Sequence, residues 1–280
     1  KKLVVSYSPD QARIYTYLMK FLPNFLRLLD PTPGQLKTIE EKIELRYSHV
    51  AKAFQTAAEF RAETTLIDLF WKVEERNGHS IQFLNYIDKA CKIIAQNIPP
   101  AALPGVKNTL FQMIVNFDEK QSRYRSYIGE ISVLRQLIAE ENFKLIKVEY
   151  RMPNNKSADY AFQTEKGLTL VEVVNVDLNV DKILTIQDLR DVIRHRTEQK
   201  LEEKYGGLPP DWPHSICLVQ IIWGDLLNIS ELSGYFSEPQ VFDNIVLKPM
   251  ILGQFHDAKA DLPRYQFLTA EQFLKSEAKQ

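Results

Sequence analysis

The sequence predicts an α/β protein, a mixed sheet flanked by helices and preceded by an all-α helical region. Three observations lead there. Apolar residues recur at helical spacing from the start of the chain to about residue 118. From about residue 120, short runs with strand-like alternation take over. The order from there is helix, three strands, helix, strand, which suits a mixed sheet with helices on its faces. The expected domains are 1–118, all helical, and 119–280, built on the sheet.

In the first region, Ile14, Leu18, Phe21, Leu22, Phe25 and Leu29 share a helical face, with Pro23 as a kink. Pro31-Thr32-Pro33-Gly34 breaks it. Leu36, Ile39, Ile43, Tyr47, Val50 and Phe54 alternate steps of three and four, the seam of a long helix that packs in coiled-coil fashion. Leu66, Leu69, Phe70 and Val73 mark a helix that Asn77-Gly78 can end, and Leu84, Ile87, Cys91 and Ile94 mark another. Pro99-Pro100 to Pro104-Gly105 reads as a loop. These stripes are core-facing surfaces.

In the second region, a helix is expected over 122–142 and a strand over Leu145–Tyr150, then a polar turn from Met152 to Lys156. A strand at Asp159–Gln163 and a turn at 164–167 lead into an apolar strand over 168–176. A charged amphipathic helix follows over 185–205, stopped by Gly206-Gly207. Pro209 to Pro213 is a rigid loop, and Ser215–Trp223 is a strand buried on both faces. The tail suggests a strand at Asn244–Leu247 and a short helix near Thr269–Lys275.

The composition, 45% hydrophobic and 25% charged over 280 residues, is that of a globular chain with a sizeable core. A net charge of -1 lowers the expectation of a strongly basic nucleic-acid binder but leaves room for a local basic groove. Cys91 and Cys217 form no CxxC pair and read as buried free thiols. No apolar run approaches the ~18 residues of a membrane span, and Lys1-Lys2-Leu3 opens no signal-peptide pattern. A soluble, cytoplasmic protein is expected. The five histidines make no HExxH pair, and there is no P-loop, GxGxxG or GxSxG. Zinc-protease, nucleotide-loop and serine-hydrolase readings therefore have no support.

Three acids sit where acids are costly. On a wheel at ~100° per residue, Glu130 falls between Leu134 and Leu137, inside the apolar arc of its helix. It either lies at the edge of that stripe in a structural pair or serves a site. Glu172 interrupts Leu170-Val171-Glu172-Val173-Val174 and shares a face with Leu170 and Val174. Asp159 opens the preceding strand, and a short turn pairs the two strands as a hairpin, which brings it toward Glu172. Carboxylates this close need a proton or a cation between them. Hard oxygen donors with room for water suit Mg²⁺ or Mn²⁺. The bland alternative is a solvated pair at a sheet end beside Lys or Arg.

The order of these residues resembles the PD-(D/E)XK nuclease superfamily, over about residues 122–225. Gly129-Glu130-Ile131 stands where the family's core helix carries its Glu, Ser157-Ala158-Asp159-Tyr160 where a strand supplies its Asp, and Glu172-Val173-Val174 where the next strand supplies Glu-x-Lys. The resemblance implies a restriction-endonuclease-like fold, with Asp159 and Glu172 as metal ligands and catalytic residues and Glu130 assisting at the metal. It also implies Mg²⁺ or Mn²⁺ as cofactor. Two positions depart from the pattern. Ala158 replaces the proline, and Val174 replaces the lysine, so it cannot orient water or offset developing charge. Asn175 points to the other face unless a bulge intervenes.

A substitute cation is expected from the following helix, where Leu189, Ile193, Arg196, Lys200 and Lys204 share one side. Lys200 is the catalytic candidate, and Arg194 and Arg196 are candidates for substrate phosphate. The alternative is that these side chains bury their stems and reach water. The expected function is metal-dependent phosphodiester hydrolysis of nucleic acid, DNA before RNA, in a defence or mobile-element setting. A homodimer or a protein partner would use the N-terminal helices. The competing expectation is an inactive nuclease-fold subunit that binds or assembles. Val174 and the long seam favour the latter, and the three acids favour the enzyme.

Overall fold

The computed structural model describes residues 18–56, 65–74, 77–116, 123–179, 181–208, 215–242 and 245–277. The chain divides into two compact units. One comprises 1–95 and 106–128, the other 96–105 and 129–280. The expected boundary between 118 and 119 lies outside the described residues, as does the Pro209–Pro213 loop.

The first unit is helical. It contains α1 (Pro23–Leu29), α2 (Pro33–Thr56) and α3 (Leu66–Glu74), with most of α4 (Gly78–Asn97) and α5 (Leu103–Val115). The chain is already helical from Leu18 to Phe21, breaks at Leu22 as Pro23 led one to expect, and resumes with Pro23 in the first turn of α1, where a proline forfeits no helical bond. Asp88 of α4 caps α1, accepting from the backbone N–H groups of Asn24 at 2.7 Å and Phe25 at 3.1 Å. The long seam helix is present, but its buried stripe runs Ile39, Ile43, Arg46. The polar member is satisfied because Arg46 Nε and Nη2 each donate to Asp68 at 3.1 Å. The side chains of Tyr47, Val50 and Phe54 lie outside the described residues. Asn77 does more than end α3, since its Oδ1 accepts the Ser80 N–H at 3.0 Å and so caps α4.

The second unit is built on a seven-stranded mixed sheet. Its strands are β1 (Lys144–Arg151), β2 (Ser157–Thr164), β3 (Gly167–Asp177), β4 (Ser215–Asp225), β5 (Val241–Phe242), β6 (Ile245–Asp257) and β7 (Leu262–Thr269). The order is β1-β2-β3-β4-β6-β5, and β7 also pairs with β6. β3, β4 and β6 run parallel, and the remaining pairs are antiparallel. The short turn between β2 and β3 closes on Gly167, whose φ of 92° suits a residue without Cβ.

The helix α6 (Arg123–Ile138) enters this unit at Gly129, and α7 (Ile186–Tyr205) joins β3 to β4. α7 begins with a capping box in which Thr185 and Asp188 each accept the other's backbone N–H. It covers the face of Val174 and Val176, where Leu189 and Ile193 join Leu218 and Ile222 in one apolar cluster. α6 lies on the opposite face. A Cβ at Gly129 would stand 2.2 Å from Asn175 Oδ1 and 2.9 Å from Ile221 Cδ1, so glycine is what permits this approach. Two short helices, α8 (Leu226–Ser230) and α9 (Ala270–Glu277), complete the unit.

The tail differs most from expectation. In place of one strand at 244–247 there is a 13-residue β6 hydrogen-bonded to β7. Lys248-Pro249 and Gly253 break the alternation that would have announced it. β5 reaches Ile245 and Val246 and β7 ends opposite Met250, so Pro249 falls in the interval between them. A residue lacking N–H is tolerated at such a place. Among the described residues, no helix is long and apolar enough to cross a membrane. Cys91 is buried and Cys217 half-buried, and both are free thiols.

Candidate active site

β2 and β3 diverge at the acid pair. Their ladder runs from Thr164↔Gly167 to Tyr160↔Val171, which places Asp159 opposite Glu172 at the next step. There the backbone pairing is replaced by a side chain, since Asp159 Oδ2 accepts the Val173 N–H at 2.8 Å. β2 stays with β1 through Ser157 while β3 continues along β4. The fork leaves two carboxylates facing a gap no strand fills.

α7 supplies the cations. Lys200 Nζ lies 3.0 Å from Glu172 Oε2 and 3.7 Å from Asp159 Oδ2. Lys204 Nζ lies 3.8 Å from Asp159 Oδ1 and 3.9 Å from Glu172 Oε1, and donates to the Ser157 carbonyl at 2.7 Å. The end of α7 is tied to the β1–β2 turn, where Asn154 Nδ2 donates to the carbonyls of Lys204 at 2.9 Å and Gly206 at 3.1 Å. That turn therefore sets where Lys204 and Tyr205 stand.

Glu172 is 0% exposed, and neither of its oxygens has a hydrogen bond of good geometry. Burial, then the charge of Asp159, pushes its carboxyl up to about 8, with Lys200 and Lys204 opposing. Lys200 is held above the ordinary lysine range because Asp159 and Glu172 outweigh its own burial. Burial, then Glu172 and Asp159, raises the Tyr205 phenol, whose buried hydroxyl lacks a partner of good geometry.

Glu130, half-buried on α6, is raised well above the usual carboxylate range by burial first and Asp159 second. Among the described residues, no group of three His, Cys, Asp or Glu side chains comes together as a metal site. Asp159 and Glu172 converge, and Glu130 lies within reach of the charges of Asp159, Lys200 and Lys204. The converging pair fits a hard divalent cation in donor chemistry. Mg²⁺ is commonly held by one or two carboxylates, with water and substrate oxygens completing its shell, and an ion here would share Glu172 Oε2 with Lys200, 3.0 Å away.

Lys200 is where the helix wheel put it. Arg196 is not. It is exposed, as is Arg194, which pairs with Glu198 at 3.1 Å. The buried stripe of α7 is Leu189, Ile193 and Thr197. Arg196 lies ~60° from its centre and reaches solvent. Asn175 stays on the α6 face, where it accepts the Trp223 Nε1–H at 2.8 Å, so no bulge redirects it. Three participants were missed. Lys204, on the expected helix side, joins the acid pair, a role its position on the wheel did not assign. Tyr205 depends on where the helix ends. Glu149 of β1, at φ 53°, lies between the pairs Val148↔Tyr160 and Tyr150↔Ala158, opposite Asp159, and adds negative charge near Glu130. No protein-family model, curated protein or solved structure matches the chain.

Proposed function

We propose that the chain is a metal-dependent phosphodiesterase acting on nucleic acid, with DNA as substrate and endonucleolytic cleavage as the reaction. One observation carries this reading: two acids on diverging strands meet a lysine from the adjoining helix, with Lys200 Nζ 3.0 Å from Glu172 and 3.7 Å from Asp159. In this reading Asp159 and Glu172 hold Mg²⁺ or Mn²⁺. Bound there, the ion would supply Lewis acidity and a more acidic water. Lys200 replaces the cation that Val174 cannot provide, and its fixed positive charge offsets charge that builds on the phosphate. Glu130 assists at the metal in this reading, because a cation there would offset the burial and the Asp159 charge that hold its carboxyl above the usual range. Arg196, exposed on α7, and Arg194, on leaving Glu198, would meet phosphates of the substrate backbone in this reading.

A second reading has its own observation. Lys200 and Lys204 stand within 4 Å of both acids, so the cluster carries its own cations. That favours a nuclease-like subunit that binds without cleaving. Incubation with supercoiled plasmid and with RNA in Mg²⁺ or Mn²⁺ separates the two. The enzyme reading expects cleavage that falls by about a thousandfold or more in Asp159→Ala and Glu172→Ala, since each removes a metal donor. Intact substrate with wild type, and no rise in melting temperature with either metal, would favour the binding subunit.

A further inference from the structure

Five polar atoms without a hydrogen bond of good geometry are buried in one layer, between α7 and the sheet; two of them, the Glu172 oxygens, face Lys200 and Lys204 at 3.0 and 3.9 Å. The five are both oxygens of Glu172, Thr197 Oγ1, and both Oε1 and Nε2 of Gln220. All three residues are 0% exposed. Gln220 sits mid-strand in Leu218-Val219-Gln220-Ile221-Ile222, in register with Val174 on one side and Pro249 on the other. Val174 is two residues from Glu172 on the same face, which is also the face of Leu218 and Ile222. Thr197 follows Ile193 by one turn on the buried side of α7, and precedes by three residues the lysine that touches Glu172. Glu172 and Gln220 therefore flank Val174 on the sheet face that α7 covers, and Thr197 is buried on the α7 side of the same layer.

An amide offers two donors and has a carbonyl oxygen to be satisfied. Left unmet in an apolar layer, these groups cost more than an aliphatic residue of the same size would. Packing alone gives no reason for glutamine between Val219 and Ile221. Water needs two to four polar partners to be held inside a protein, and a carboxylate, a hydroxyl and an amide provide them.

We propose that Gln220 and Thr197 are positioning residues, which together with Glu172 form a buried water-binding site that holds the Glu172 carboxylate in its orientation toward Asp159 and Lys200. The water site stands on the burial and register above. Its part in catalysis rests on the nuclease reading. Gln220 and Thr197 touch neither substrate nor ion and act through Glu172.

Gln220→Leu, Thr197→Val and Thr197→Ser test it, each compared with wild type in three measurements. The first is the melting temperature without metal. The second is the Mn²⁺ concentration for half-maximal thermal stabilisation. The third is the division of plasmid cleavage into kcat and KM. With ordered water in the site, Gln220→Leu and Thr197→Val lower the metal-free melting temperature. They also raise the Mn²⁺ midpoint about tenfold, as loss of a ligand's outer partner does, and reduce kcat with KM unchanged. Thr197→Ser keeps the hydroxyl and keeps the Mn²⁺ midpoint.

A metal-free Gln220→Leu protein that melts above wild type would overturn the water site, because the amide would then have been an unsatisfied group. An unmoved Mn²⁺ midpoint in both apolar variants would overturn the positioning role. Should Gln220→Leu fail to fold, the Thr197 Val and Ser pair decides. A wild type with neither Mn²⁺ response nor cleavage removes the nuclease reading, and the metal-free melts still decide the water site on their own.

Discussion

Glu172 carries the sharpest consequence of the site's burial. Its folded-state carboxyl stands near 8 against an ordinary 4.5, so folding favours the protonated form. The stability this protonation contributes is fully present below about pH 4.5 and is lost as the pH rises through 8. The metal-free protein is therefore expected to lose melting temperature across that interval. Glu172→Gln, which cannot ionise, flattens the slope, and melts at half-unit pH steps would show it. A divalent ion selects the ionised carboxylate, so Mg²⁺ should restore more stability at pH 8 than at pH 6. An equal pH slope in wild type and Glu172→Gln would mean that the lysines, and not burial, govern this carboxyl. The residue was conspicuous in sequence because a charge amid Leu170, Val171, Val173 and Val174 has no cheap explanation.

At the scale of elements, the placement of α6 depends on Gly129. Asn175 Oδ1, engaged with the Trp223 indole N–H at 2.8 Å, occupies the space that a Cβ there would take. Gly129→Ala must push the helix off the sheet or break that hydrogen bond. A loss of about 1–3 kcal/mol is expected, the usual cost of overpacking, read from urea melts. Glu130, the next residue, moves with the helix, so on the proposed nuclease reading cleavage falls too. Asn175→Ala opens the space, and the double variant should be less destabilised than the sum of the singles. The same pair shows what the sequence could reveal. The helix, its apolar arc and the outward face of Asn175 followed from periodicity. The contact between them did not, because it joins residues 46 positions apart that carry no local pattern. Likewise β2, β3 and α7 were legible and gave Asp159, Glu172 and Lys200, while Lys204, Tyr205 and Gln220 take their roles from tertiary register. β6 was hidden because its proline is harmless in place and disruptive in pattern.

For the whole molecule, 35 basic and 36 acidic side chains nearly cancel, and the cations of α7 are interleaved with acids. Arg194 is paired with Glu198, Arg190 with Glu238, and Lys200 and Lys204 with the acid pair. A nucleic acid meeting this surface finds few cations unmatched. Counterion release then contributes little, since the logarithm of affinity falls against that of salt with a slope of about -0.9 per phosphate neutralised. The expected slope for a short DNA duplex is between about -2 and -4. Raising salt from roughly 50 to 200 mM would then weaken binding on the order of 10- to 300-fold. Fluorescence anisotropy with labelled duplex, in EDTA so that the substrate stays whole, measures it. Added Mg²⁺ at constant ionic strength should tighten binding, because an ion held by Asp159 and Glu172 replaces repulsion of phosphate with attraction. A slope steeper than about -6 would instead require an extended basic face. Tightening by Mg²⁺ that persists in an Asp159→Ala, Glu172→Ala double variant would place the ion's effect elsewhere on the molecule.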